Sequence, residues 1–161
     1  MSFNVLVLCT GNSARSILGE MLFNHLGKGR VRAWSAGSKP AGQVNPVAIQ
    51  TLARHGVPCE GARSKSWDEF AVAPAPTFDF IFTVCGNAAA ETCPVWPGHP
   101  TTAHWGIPDP AHVEPLEARR AAFEQAYQSL KKRIEAFLAL PLETLSRDEV
   151  LAAARKIHVG D

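Results

Sequence analysis

The chain opens on a continuous apolar run, Phe3-Asn4-Val5-Leu6-Val7-Leu8, which predicts a strand covered on both faces. Leu18, Met21, Leu22, His25 and Leu26 then recur at helical spacing, and Gly27 offers a stop. Residues 30–36 predict a second strand, ending in Ser35-Ala36-Gly37. Asn45-Pro46 has the form of an N-cap followed by proline at the first helical position, and His55-Gly56 closes that helix. Ser66-Trp67-Asp68-Glu69 has the form of a capping box opening another helix. Residues 78–84 predict a third central strand that delivers Cys85 at its C-terminal end. A proline-rich stretch from Cys93 to Pro110 follows, with a short strand around Ala103-His104-Trp105. Leu116, Phe123, Tyr127, Leu130, Ile134, Phe137 and Leu138 mark a long amphipathic helix, and residues 150–157 a shorter one.

This alternation of strands and helices argues for a three-layer α/β domain around a parallel sheet. Residues 1–140 are expected to form the domain, with 141–161 as its helical extension. In such sheets ligands bind beyond the carboxyl ends of the strands. Cys9 and Cys85 both fall at predicted strand ends and Asp109 follows another, so three reactive side chains are expected on one edge.

Charge alters this picture little. A net charge of +1 gives no reason to expect nucleic acid or a membrane surface as partner. The N-terminus has no basic region and its apolar run is far short of the ~20 residues a spanning helix needs, so a cytoplasmic protein is expected. Four cysteines, Cys9, Cys59, Cys85 and Cys93, do not make a disulfide framework in such a chain. Metal binding, catalysis and inert burial remain open for them. Zinc favours short paired spacings, whereas seven residues separate Cys85 from Cys93, with His99 and His104 nearby; no bound metal is expected.

The chemistry concentrates in Cys9-Thr10-Gly11-Asn12-Ser13-Ala14-Arg15-Ser16, between the first strand and the first helix. Five residues between a cysteine and an arginine can arch so that their N–H groups point at one tetrahedral anion, which the arginine fork grips by two oxygens. A helix N-terminus, backbone N–H groups and the Ser16 hydroxyl would together favour a Cys9 thiolate. Gly11 allows a backbone conformation other residues resist, and Asn12 is the next most tolerant. Asp109-Pro110 is a natural acid partner, because expelling an oxygen leaving group needs a proton. Cys59, in Pro58-Cys59-Glu60-Gly61, reads as an exposed loop thiol without a role; His104 and Trp105 read as packing residues.

The loop together with Asp109-Pro110 resembles the low-molecular-weight protein tyrosine phosphatase superfamily, and within it the arsenate reductase branch of thioredoxin-coupled type. Trp34-Ser35-Ala36-Gly37, Ser64-Lys65-Ser66-Trp67, Thr83-Val84-Cys85, Cys93-Pro94 and His104-Trp105-Gly106-Ile107-Pro108-Asp109-Pro110 carry the same resemblance. It implies a four-stranded parallel sheet, substrate binding by Thr10, Gly11, Asn12, Ser13, Ala14, Arg15 and Ser16, and catalysis by Cys9, Arg15, Asp109, Cys85 and Cys93. In that scheme the Cys9 thiolate attacks arsenate and Cys85 attacks Cys9 as arsenite leaves. Cys93 then moves the disulfide to Cys85–Cys93, after remodelling of residues 86–92. No cofactor is bound; the reductant is an external thiol, thioredoxin first, with glutathione–glutaredoxin as the alternative partner. The Cys85–Cys93 spacing is one residue longer than in the thioredoxin-coupled branch. Ala111-His112 stand where phosphatases of the superfamily carry tyrosines, which argues against a phosphotyrosine substrate. A small phosphatase acting through phospho-Cys9, or a non-enzymatic oxyanion-binding module, are the competing readings. Some relatives hold a potassium ion behind the loop through residues matching Asn12, Glu20 and Ser35. Lys65 takes the place of an acidic ligand there, which suggests that its ammonium replaces the ion.

Overall fold

The computed structural model describes residues 3–70, 76–84 and 101–159. Four parallel strands, β1 (Phe3–Cys9), β2 (Val31–Gly37), β3 (Phe80–Thr83) and β4 (Thr101–His104), form one sheet in the order β2-β1-β3-β4. Each strand obeys the two-residue side-chain period. Val5, Val7, Phe80 and Phe82 face one way, into a core shared with α1 (Arg15–Gly27), α2 (Pro46–Arg54), α3 (Leu116–Leu138) and α4 (Arg147–Val159). Leu6, Leu8, Ala36 and Ile81 face the other way, against Trp67, Phe70 and Phe78. The expected α/β class and parallel sheet are therefore present. The tail is part of the same core, since Val150 and Ala154 are buried in it.

Several local expectations change. Residues 16–23 of α1 are buried without interruption while His25 is exposed, so α1 is a central helix and not a one-sided amphipathic one. Gly19 permits this, because a Cβ there would stand 3.0 Å from Val7 Cγ1. Gly27 belongs to α1; the left-handed residue that ends it is Lys28, with φ 48°. Asn45 caps α2 as expected, its Oδ1 accepting from the Val47 N–H at 2.9 Å. The Ser66 segment forms a single 3-10 turn, Trp67–Phe70, within the described residues. Its box does not close, because Glu69 pairs with Arg63 at 2.7 Å instead. A reciprocal box does open α4: the Ser146 N–H donates to Glu149 at 2.9 Å and the Glu149 N–H to Ser146 Oγ at 3.2 Å. Trp105 is fully buried, its ring centroid 4.1 Å from that of Phe82. His104, by contrast, is exposed and bonded through Nδ1 to Thr83 Oγ1 at 2.8 Å, so only one of that pair packs inside. Cys59 is half-buried rather than exposed, its thiol donating to the Val57 carbonyl at 3.5 Å.

No helix among the described residues is long and apolar enough to cross a membrane.

Candidate active site

The site forms where β1 runs out and α1 begins. Between them the chain arches, and its carbonyls are taken up by neighbouring segments. The Thr10 carbonyl accepts from the Lys39 N–H at 3.0 Å, Gly11 from Ala41 at 2.9 Å, and Ser13 from Asn45 at 2.8 Å. Ser64 Oγ also donates to the Gly11 carbonyl, at 3.1 Å. In a planar trans peptide the N–H of the next residue points opposite to the carbonyl. With those carbonyls turned outward, the N–H groups of Gly11, Asn12 and Ala14 turn inward, to the cleft. The N-cap of α1, Ala14, supplies no side-chain bond, so the helix presents its first N–H groups uncapped.

The strained residue of the arch is Asn12, with φ 46°, and not Gly11. Asparagine tolerates that conformation, and here its amide is fully engaged. Nδ2 donates to Ser16 Oγ at 2.8 Å and to Ser35 Oγ at 2.9 Å, while Oδ1 accepts from the Lys65 N–H at 2.9 Å. Gly37, at the end of β2, is a support the sequence reading did not assign. A Cβ on it would stand 2.3 Å from the Thr10 carbonyl oxygen and 2.7 Å from that of Cys9. Gly37→Ala is expected to cost about 1–3 kcal/mol through this overpacking. It is also expected to weaken oxyanion binding as the arch shifts, read by denaturant melts and phosphate calorimetry; unchanged values in both would contradict the tight fit.

Cys9 is buried at the floor of an open cleft lined by residues 9–15 together with Ala41, Asn45, Asp109, Ala111 and His112. Arg15 opens α1; one guanidinium nitrogen donates to the Ile107 carbonyl at 3.0 Å and the other lies 3.6 Å from Asp109 Oδ2. Asp109 is 41% exposed in its side chain, and Oδ1 accepts from the Ala111 N–H at 2.9 Å. The structure thus brings Cys9, Arg15 and Asp109 to one edge of the sheet. Cys85, Cys93 and residues 86–92 lie outside the described residues.

Behind the arch sits a buried ion pair. Lys65 Nζ lies 3.6 Å from Glu20 Oε1 and donates to the Arg63 carbonyl at 3.0 Å; the two residues are 6% and 8% exposed. Ser35 Oγ donates to Glu20 and accepts from Asn12, which joins the pair to the loop. Burial pushes the Glu20 carboxyl above its ordinary value, a rise opposed by Lys65 and by the Ser35 bond. Burial likewise pushes the Lys65 ammonium below its ordinary value, against the pull of Glu20. An ammonium already occupies the position facing Glu20, so these residues do not fit an additional potassium ion. Among the described residues no group of three or more His, Cys, Asp and Glu side chains could hold a metal.

The model of the low molecular weight phosphotyrosine protein phosphatase family matches residues 4–151. The chain belongs to that family. It is similar to an arsenate reductase of Bacillus licheniformis, 35% identical over 132 residues that cover 81% of this chain and 91% of the relative. Among solved structures, an arsenate reductase from Archaeoglobus fulgidus is 31% identical with a TM-score of 0.60, covering 81% of this chain and 98% of that one. A tyrosine phosphatase from Erwinia amylovora is 25% identical with a TM-score of 0.64, covering 84% and 90%. The four-stranded sheet and the phosphatase-like loop are those of the family.

Proposed function

We propose that this protein reduces arsenate to arsenite with electrons from an external thiol, in the cytoplasm. The observation that carries the reading is the arch whose outward carbonyls are held by Lys39, Ala41, Asn45 and Ser64, so that its N–H groups face a cleft shared by Cys9, Arg15 and Asp109. That arrangement suits a tetrahedral oxyanion. Similarity to arsenate reductases selects arsenic over phosphorus. The absence of tyrosines at Ala111-His112, both on the cleft wall, favours a small inorganic anion over an aryl ester.

In this reading the Cys9 thiolate attacks As(V) and forms an S–As bond, while Asp109 donates the proton with which water departs. The Ser16 hydroxyl, which accepts from Asn12, keeps its own hydrogen to donate to the thiolate. The thiolate of Cys85 then attacks Cys9 Sγ. The S–As bond breaks with its electron pair on arsenic, which leaves as As(III), and a Cys9–Cys85 disulfide forms. Cys93 attacks Cys85, frees Cys9 and forms Cys85–Cys93, which thioredoxin, or glutathione with glutaredoxin, reduces. Glu20, Ser35 and Lys65 support the loop from behind through Asn12.

Arsenate-dependent oxidation of NADPH in the presence of thioredoxin and its reductase tests this. Activity is expected in wild type, and loss in each of Cys9→Ser, Cys85→Ser and Cys93→Ser. Full activity in Cys93→Ser would remove the third thiol from the relay. Activity only with glutathione and glutaredoxin would change the reductant. The second reading, a phosphatase acting through phospho-Cys9, is favoured by the complete Cys9–Arg15–Asp109 set and by the likeness to the Erwinia enzyme. Rapid aryl phosphate hydrolysis with no arsenate reduction would establish it in place of the first.

A further inference from the structure

Arg133, on α3, is a buried cation that the reaction above does not use: it is 6% exposed. Its guanidinium donates to two consecutive carbonyls, Trp105 at 2.9 Å and Gly106 at 3.2 Å. Burying a guanidinium costs several kcal/mol unless its N–H groups are well satisfied, so the place where they are spent is informative. Both bonds to described residues go to the base of the loop that carries Asp109.

That base is tied on every side. The Trp105 N–H donates to the Thr83 carbonyl at 2.7 Å and the Ile107 N–H to the Val84 carbonyl at 3.1 Å, fixing the segment against the end of β3. The Trp105 indole N–H donates to the Ala154 carbonyl of α4 at 2.9 Å, beyond the point at which the family match ends. From the cleft side, Arg15 donates to the Ile107 carbonyl. One residue, Pro108, separates Ile107 from Asp109, and Pro110 follows Asp109. The first proline fixes its own φ, and the second restricts the backbone of Asp109. The arm from Ile107 to Asp109 therefore has little freedom of its own. Where the carboxyl stands is set by where the base stands.

We propose that Arg133 is a positioning residue for Asp109: it locks the base of the acid loop from behind, so that a short proline-stiffened arm delivers the carboxyl to the anion cleft. This rests on the reading of Asp109 as the proton donor. Both bonds leave a single guanidinium nitrogen, Nη1, so a lysine ammonium brought to that point could make the same pair, whereas an apolar side chain could make neither.

A double-mutant cycle tests it, using arsenate reduction by the full-length protein with its thiol reductant. Arg133→Met is expected to lower kcat by about 10–100-fold, the scale of a displaced catalytic group. The arsenate KM and phosphate affinity should change far less than kcat, because the arch is untouched and only the Ile107 anchor of Arg15 is loosened. In an Asp109→Asn background the same substitution should cost nothing further, since a residue acting through Asp109 has nothing left to act on. Arg133→Lys should recover part of kcat. Amide exchange gives a readout independent of turnover: protection at Ile107 and Ala111 should fall in Arg133→Met while that of α1 is retained. Independent, additive losses from the two substitutions would overturn the inference, as would unaltered exchange at Ile107 and Ala111. An Asp109→Asn protein as fast as wild type would instead overturn the acid role on which it rests.

Discussion

Arg15→Lys is expected to reduce kcat/KM for arsenate by about 10²–10³-fold, comparable to removing one donor from a pre-organised oxyanion site. The side chain is 14% exposed and enters the cleft from the first residue of α1, anchored by the Ile107 carbonyl and facing Asp109. A guanidinium held in that way offers two parallel N–H bonds to two oxygens of one anion, and the second oxygen carries developing charge as the leaving group departs. An ammonium on a flexible stem can satisfy one oxygen and retains more of its hydration. Both kcat and affinity should therefore suffer, with phosphate binding weakened in calorimetry as well as turnover. The lysine would also lose the fork that holds Ile107 and Asp109 together, loosening the acid loop from the front. A loss smaller than threefold would mean that the anion is gripped by the backbone alone.

Much of this site could be read before any coordinate. The loop from Cys9 to Ser16 is contiguous, and its neighbours in sequence are its neighbours in space, so strand, arch and helix followed from local pattern. Asp109 was harder; the rule that ligands gather at the carboxyl ends of parallel strands, together with the family resemblance carried by Asp109-Pro110, connected it to Cys9. What escaped were residues whose role depends on something distant in sequence. Gly37 matters because β2 runs beside β1 in register, Cys9 opposite Gly37, and no local signal marks a glycine as a close-approach site. The left-handed residue is Asn12 and not Gly11, because Ser16, Ser35 and the Lys65 N–H converge on the Asn12 amide and hold it. Nothing in the sequence singled out Arg133, since helical period alone does not reveal that a loop passes over that position. The unbroken burial of residues 16–23 was hidden for a similar reason, α1 being enclosed by the sheet, α2 and α3 together. The Ser146–Glu149 box went unread for a different reason. Its Ser-x-x-Glu spacing precedes an apolar pattern as clearly as Ser66–Glu69 does, and only tertiary pairing of Glu69 with Arg63 separates the box that closes from the one that does not.

Lys65→Met is expected to lower the unfolding free energy by about 3–5 kcal/mol near neutral pH, because it leaves the Glu20 carboxylate buried with its cationic partner gone. The pH dependence should identify the cause. A carboxyl whose folded-state value lies above its unfolded one contributes stability that is complete below the ordinary value near 4.5 and is lost as pH rises through the folded value. Glu20 is already raised by burial in wild type, and Lys65 is the largest influence pulling it back down. Without that ammonium the folded value climbs further, so the window in which stability falls extends to higher pH. The deficit of Lys65→Met should therefore be small near pH 4.5 and grow toward pH 8. For the ammonium the sign is opposite: its folded-state value lies below 10.5, so wild-type stability is lost as pH falls through that value and is complete above 10.5. At high pH Lys65 is neutral even in wild type, and the gap between the two proteins should narrow again. Urea melts across pH 4.5–10 would trace this rise and fall; a deficit independent of pH would assign the loss to packing instead. Because the ammonium already neutralises Glu20, exchanging sodium for potassium at constant ionic strength should leave wild-type Tm and kcat/KM unchanged. A potassium-dependent rise in either would show that Lys65 does not stand in for the ion.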